Sequence, residues 1–329
     1  MIAVTQNPWQ TGSDRVHDLL LCPDKLTAKH GERAGVMQAW QQFMDRHWKN
    51  LSSRSLRLTK TIYQFAKIRQ ASKHKTILFI FGCQRSGTTL LTEIFERDFD
   101  NTKVYGEFSP VSAADKTRHI RLNPLHLVKA RIDNDRPSLI ILKPLVESQN
   151  AVKLLNYFDN SKALWVYRHY RDVVLSHLQH WNTKNGINNL RPIVRGQRQN
   201  WRAENISAYT ERIVQEHFSE DMNPYDAGAL FWFVRNRLFF EMNLTDNPNV
   251  MTCKYDNLID DPMRTIDNIY KFVGYRYPSD KLPLHIYADS KGRGKNLKLS
   301  RDIEILCNDM LNQLDVAHDL KQHSSTLHR

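Results

Sequence analysis

The sequence has 329 residues, 41% hydrophobic and 25% charged, with a formal net charge of +12. That is the composition of an ordinary globular chain, long enough to close a core without disulfides. Its four cysteines (Cys22, Cys83, Cys253, Cys307) lie far apart with no CxxC pair, arguing against a zinc site and for a reducing compartment.

Residues 1–30 show no sustained period. No run approaches the ~18–20 apolar residues of a membrane helix. The opening MIAVTQNPWQTGSDR lacks the basic and apolar regions of a secretory signal, so a cytoplasmic location is expected. From residue 32 to about residue 70 the pattern becomes helical. Trp40, Phe43, Met44, His47 and Trp48 recur at three- and four-residue spacings, and Leu56, Ile62, Phe65 and Ile68 continue in a second segment. This predicts an N-terminal helical extension, residues 1–72, ahead of a main domain at residues 73–329.

Thr76-Ile-Leu-Phe-Ile-Phe-Gly82 is a short apolar run of the kind buried as a parallel strand. A helix is expected over residues 88–99. Further strands are expected at 103–105, 139–142, 163–167 and 250–254, with helices at 147–158, 170–181 and 225–243. Strands alternating with helices predict an α/β fold, a parallel sheet flanked by helices. Residues 182–200, rich in Asn, Arg, Gly and Gln, read as a long polar loop, either disordered or a lid, and residues 289–296 as a second flexible basic segment.

The first strand runs directly into Gly82-Cys-Gln-Arg-Ser-Gly-Thr-Thr89 and then into a helix. Small residues let successive backbone N–H groups curl toward one anion, and the helix N-terminus adds its positive end. In the GxxxxGK[ST] pattern of ATP-binding loops a lysine would stand where Thr88 stands, and the basic residue is instead Arg85. A metabolite kinase is therefore disfavoured. Lys162-Ala-Leu-Trp-Val-Tyr-Arg168 is a second strand ending in a cation, with Ser176 eight positions on, about two helical turns. Arg168 stands where open α/β sheets bind ligands, and its forked donors match a phosphate, although a surface ion pair with Asp172 is the plainer reading of this segment alone.

Arg85-Ser-Gly-Thr-Thr89, taken with Arg168 and Ser176, resembles the sulfotransferase family that uses 3'-phosphoadenosine 5'-phosphosulfate. The arginine form is closest to the bacterial and tyrosylprotein-type members, and the resemblance spans residues 76 to 296. It implies a P-loop-like sulfotransferase fold. It also implies that Arg85, Ser86, Gly87, Thr88 and Thr89 hold the 5'-phosphosulfate and that Arg168 and Ser176 hold the 3'-phosphate. The glutamate in Lys-Val-Tyr-Gly-Glu107 matches the base of the tyrosylprotein enzymes, a solvated loop carboxylate being the other reading. Lys143, closing Ile-Ile-Leu-Lys, matches the lysine that steadies the leaving oxygen, a task Arg85 shares. Less tightly, Tyr255 is placed near the adenosine, and Ser290 and Lys291, with Arg293, in a segment closing over the nucleotide. Trp232 reads equally as core or ligand.

The expected reaction is transfer of a sulfonate to the hydroxyl of a small-molecule, peptide or glycan acceptor, without a metal. Residues 182–200 and the aromatic stretch 230–240 are expected to shape the acceptor pocket. The positive charge reads as steering for a polyanionic ligand. Its spread along the chain weakens the alternative of a basic nucleic-acid-binding module, and no nucleic-acid motif supports one.

Overall fold

The seven residues Thr76–Gly82 form strand β1, and every one of them is buried. A strand apolar on both faces can be satisfied only between other strands with helices above and below. The computed structural model, which describes residues 53–68, 70–115, 119–278 and 290–327, places it so. The chain divides into two units, Met1–Arg69 and Gln70–Arg329. In the first, helix α1 (Ser53–Lys67) covers the second of the two expected helical segments. The segment carrying Trp40 to Trp48 lies outside the described residues.

In the second unit, β1 is the middle strand of a five-stranded sheet in the order β2-β5-β1-β6-β7, with β2 (Thr102–Tyr105), β5 (Leu139–Leu142), β6 (Ser161–Tyr167) and β7 (Val250–Lys254). All of its pairings are parallel. Alternate residues of β1 and β6 go to opposite faces, as the period of two demands. Phe79, Phe81, Trp165 and Tyr167 join one core, whereas Leu78, Ile80, Leu164 and Val166 join the other. The second core is closed by Leu91 and Phe95 of α2 (Thr88–Glu96), by Leu258 of α9 (Tyr255–Asp260) and by Ile266, Ile269 and Tyr270 of α10 (Pro262–Val273). The first is closed mainly by α8 (Pro224–Glu241) and by α11 (Arg301–Leu327). Among the described residues no helix is long and apolar enough to cross a membrane.

Several elements differ from expectation. Residues 182–200 are not a loop: they hold helix α6 (Asn185–Val194), whose Ile187, Leu190 and Ile193 are buried. The expected helix at 147–158 is a 3-10 helix, Leu145–Asn150, running into the short α4 (Ala151–Tyr157). The helix expected to reach residue 99 stops at Glu96, because the Asp98 side chain accepts the backbone N–H of Asp100 and Asn101 and turns the chain toward β2. An antiparallel hairpin of β3 (Ser112–Ala114) and β4 (Ile120–Leu122), and helices α3 (Leu125–Asp133) and α7 (Ala208–His217), were not apparent from periodicity. The aromatic stretch of α8 does not line an open pocket, since Leu230, Phe231, Trp232, Phe233 and Val234 are all buried in the core.

Candidate active site

The loop after β1 owes its path to its glycines. Gly82 has φ +135°, and a Cβ there would lie 2.2 Å from the Val166 carbonyl oxygen of β6. Gly87 has φ +99° at the N-cap of α2, and a Cβ there would meet the Tyr255 ring at 2.3 Å. Arg85, between them, adopts φ +70°, a left-handed conformation that a non-glycine residue holds only where its surroundings fix it. The fixing contacts are visible. The Arg85 Nε donates to Ser176 Oγ at 3.0 Å, and its guanidinium lies 5.9 Å from the Trp181 ring. Burial, together with the positive charge of Arg168, lowers the Arg85 pKa.

Ser86 is fully buried, and its hydroxyl meets no hydrogen-bond partner among the described residues. A buried donor left in that state costs stability unless something external satisfies it. Cys83 is also buried, which pushes its thiol up to about 12, so it stays protonated and is no nucleophile. Thr88 is buried and Thr89 is exposed at the start of α2.

Sheet register brings Glu107 and Lys143 together. Tyr105 of β2 is paired with Leu142 of β5, and the Lys143 amide extends the ladder by donating to the Tyr105 carbonyl at 2.9 Å. The residues just past both strand ends therefore emerge side by side. Lys143 Nζ donates to Thr89 Oγ1 at 3.2 Å and stands 4.0 Å from Glu107 Oε1. One cation thus bridges the loop threonine and the carboxylate.

On the other side of β1, strand β6 delivers Arg168 to the same edge, since Gly82 and Val166 are in register. Its side chain is only 6% exposed and lies 3.5 Å from Asp172 Oδ2. The guanidinium sits 4.3 Å from the Tyr255 ring centre and donates through Nη2 to the Ser290 carbonyl. The backbone carbonyl of Arg168 accepts from Trp232 Nε1 at 3.1 Å, which makes Trp232 a buried support. The Arg168 Nε is buried and meets no partner among the described residues. Helix α5 (Tyr170–His180) carries Ser176 back to Arg85.

Tyr255 is placed against both cradles, packed on Gly87 and under Arg168, and its hydroxyl bonds to Ser290 Oγ. Lys291 is the exception among the predicted residues. It is exposed and bonded to Asp260, which raises its pKa. The segment containing Ser290 is a series of turns docked on α5, anchored through Asp172.

Three residues that sequence reasoning did not place in the site belong to its wall. Trp181 faces Arg85. His177 packs on Trp181 with ring centroids 4.3 Å apart, and its pKa is depressed to about 4, first by burial and then by the charge of Arg85. Asp172, read from sequence as a surface ion-pair partner of Arg168, is instead 4% exposed and bonded to the Gly292 and Gly294 amides. No group of three or more His, Cys, Asp or Glu side chains that could hold a metal ion occurs among the described residues.

Taken together, two cradles lined by polar and cationic groups, one around Arg85 and one around Arg168, share one end of the sheet, with Glu107 and Lys143 beside the first. The family model of the sulfotransferase domain matches residues 75–306. No curated protein sequence matches the chain. Among solved structures, the chain is similar to the sulfotransferase domain from the Synechococcus PCC 7002 olefin synthase, at 15% identity over 75% of this chain and 98% of that one, TM-score 0.46. It is also similar to the sulfotransferase domain from the curacin biosynthetic pathway (14%, 74% and 99%, TM-score 0.46) and to a sulfotransferase from Alicyclobacillus acidocaldarius (12%, 76% and 96%, TM-score 0.44).

Proposed function

The chain belongs to the sulfotransferase domain family and is an enzyme of that class; from that premise we propose that it transfers a sulfonate from 3'-phosphoadenosine 5'-phosphosulfate to an acceptor hydroxyl. The residues present fit such a donor. The buried Ser86 hydroxyl in one cradle and the buried Arg168 Nε in the other each lack a protein partner among the described residues, as two separate anion sites require. In this reading Arg85, Ser86, Gly87, Thr88 and Thr89 receive the 5' group, Arg168 and Ser176 the 3'-phosphate, and Tyr255 and Ser290 border the adenosine. Lys291, engaged with Asp260, acts at most at the rim.

When bound, the donor supplies the sulfonate and a phosphate leaving group. Glu107 accepts the proton of the acceptor hydroxyl as that oxygen bonds to sulfur and the bridging oxygen leaves with its electron pair on the phosphate. Lys143, already held between Glu107 and Thr89, and Arg85, held by Ser176, present positive charge to the departing oxygen. The acceptor is a small molecule, peptide or glycan carrying the hydroxyl.

The observation that carries this reading is the 3.0 Å bond from Arg85 to Ser176, which joins the two cradles into one site. Titration calorimetry with adenosine 3',5'-bisphosphate tests it. Arg85→Ala and Arg168→Ala are each expected to weaken binding by about 10- to 100-fold, the loss of a charge-assisted contact. Wild-type binding that neither change affects overturns the assignment.

A further inference from the structure

The first turn of a helix has free N–H groups, and an acidic side chain at its third position can turn back to cap the helix start. Asp172, in the first turn of α5, does not. The capping contact comes from the His169 ring, which accepts from the Arg171 amide at 3.3 Å. The Asp172 side chain, 4% exposed, reaches out to a segment more than a hundred residues away. Its Oδ2 accepts the Gly292 amide and its Oδ1 the Gly294 amide, each at 2.8 Å.

The sequence of that segment, Ser290-Lys-Gly-Arg-Gly294, now has a physical reading. Gly292 sits at φ +72°, where a side chain is strained, and a Cβ on Gly294 would strike the Arg171 carbonyl at 2.3 Å. The two glycines let two backbone amides converge on one anion, as in an anion-binding nest. The anion is supplied by the protein itself. The same latch sets Ser290, whose carbonyl accepts from Arg168 and whose hydroxyl meets Tyr255.

We propose that Asp172 is a positioning residue that latches the Ser290–Gly294 strap against Arg168 and thereby fixes the geometry of the 3'-phosphate end of the nucleotide site. The inference rests on the donor reading above. Two roles of Asp172 predict opposite signs. A carboxylate that only offsets the charge of Arg168 opposes a bound dianion, so its removal strengthens nucleotide binding. A latch that orders the strap and Arg168 supports binding, so its removal weakens it.

Calorimetry on the full chain with two probes, adenosine 3',5'-bisphosphate and adenosine 5'-phosphate, separates these cases. Asp172→Asn keeps the shape but offers one acceptor to two amides. It is expected to weaken the bisphosphate about tenfold, the scale of one charge-assisted bond, and to leave the 5'-phosphate within about twofold. Gly294→Ala, which displaces the strap while keeping the Asp172 carboxylate, is expected to give the same selective loss and decides the matter if Asp172→Asn does not fold. Equal loss for both probes, an unchanged bisphosphate affinity, or tighter binding by Asp172→Asn overturns the latch alone. Wild-type protein that binds neither probe overturns the donor reading and the latch with it.

Discussion

Glu107 stands two residues past the end of β2 with its carboxylate 4.0 Å from Lys143, partly exposed at 29% and so within reach of an incoming hydroxyl. Replacing it with glutamine keeps size and hydrogen-bonding shape but removes the proton acceptor. Glu107→Gln is expected to lower kcat by ~10²–10⁴ while the affinity for adenosine 3',5'-bisphosphate stays within about twofold. Single-turnover transfer of labelled sulfonate, set beside calorimetry, measures both, and an unchanged kcat removes Glu107 as the base. His177 gives a second residue-scale prediction, on stability. Its folded pKa of about 4 lies below the ordinary histidine value of 6.5. Between those values the unfolded chain binds the proton and the folded one does not, so stability is full above pH 6.5 and falls as the solution is acidified toward pH 4. By pH 5 the loss from this group is about 2 kcal/mol. Urea unfolding at pH 7.5 and pH 5 should show His177→Asn losing that much less than wild type. Identical losses would mean that His177 is already charged in the folded protein.

At the scale of elements, α8 does more than fill the core. Trp232 donates to the Arg168 carbonyl at the end of β6, and Arg235, fully buried, donates through Nη2 to the Leu145 carbonyl at 3.2 Å and to Gln149 at 3.1 Å. One helix thereby supports the chain just past β5 and β6, the strands that lead to Lys143 and Arg168. Trp232→Phe retains the packing but leaves a buried carbonyl without its donor, a change expected to cost about 1–3 kcal/mol in urea unfolding. A variant as stable as wild type would show that the bond carries no weight. This helix was readable from its aromatic run, but its polar contacts were not. They join residues 64 to 90 positions apart, and no local spacing encodes such a pairing. The strands were readable for the opposite reason, since a buried parallel strand needs only a continuous apolar run of its own. Helix α6 escaped notice because its buried stripe is thin, Ile187, Leu190 and Ile193 among polar residues, and Asn189 is buried through bonds to Asn185 and Arg202 that sequence cannot foresee. The β3–β4 hairpin pairs only three residues with three, too few to show an alternation.

For the whole molecule, the parallel arrangement of the five strands explains why residues as far apart as Arg85, Glu107, Lys143, Arg168 and Tyr255 meet. Each follows the carboxyl end of a different strand, and in a parallel sheet all of those ends lie on one edge. The loop motif and the arginine strand could therefore be joined from sequence once the sheet was known to be parallel. Lys291 could not be placed that way, because it lies beyond the last strand and its partner Asp260 is chosen by tertiary packing. The same edge carries Arg85, Lys143 and Arg168 beside Glu107 and Asp172, within a chain whose net charge is +12. A cleft of one sign focuses the field and speeds the arrival of an oppositely charged ligand, an effect that salt suppresses. Raising ionic strength from about 10 mM to about 100 mM shortens the screening length from ~30 Å to ~10 Å. The stopped-flow association rate of adenosine 3',5'-bisphosphate is expected to fall by roughly tenfold over that range, with a much smaller change in its dissociation rate. Neutral adenosine supplies the control, since its association should be nearly independent of salt. If the bisphosphate behaves like adenosine, the excess charge does not steer ligands to this edge and belongs instead to the rest of the surface.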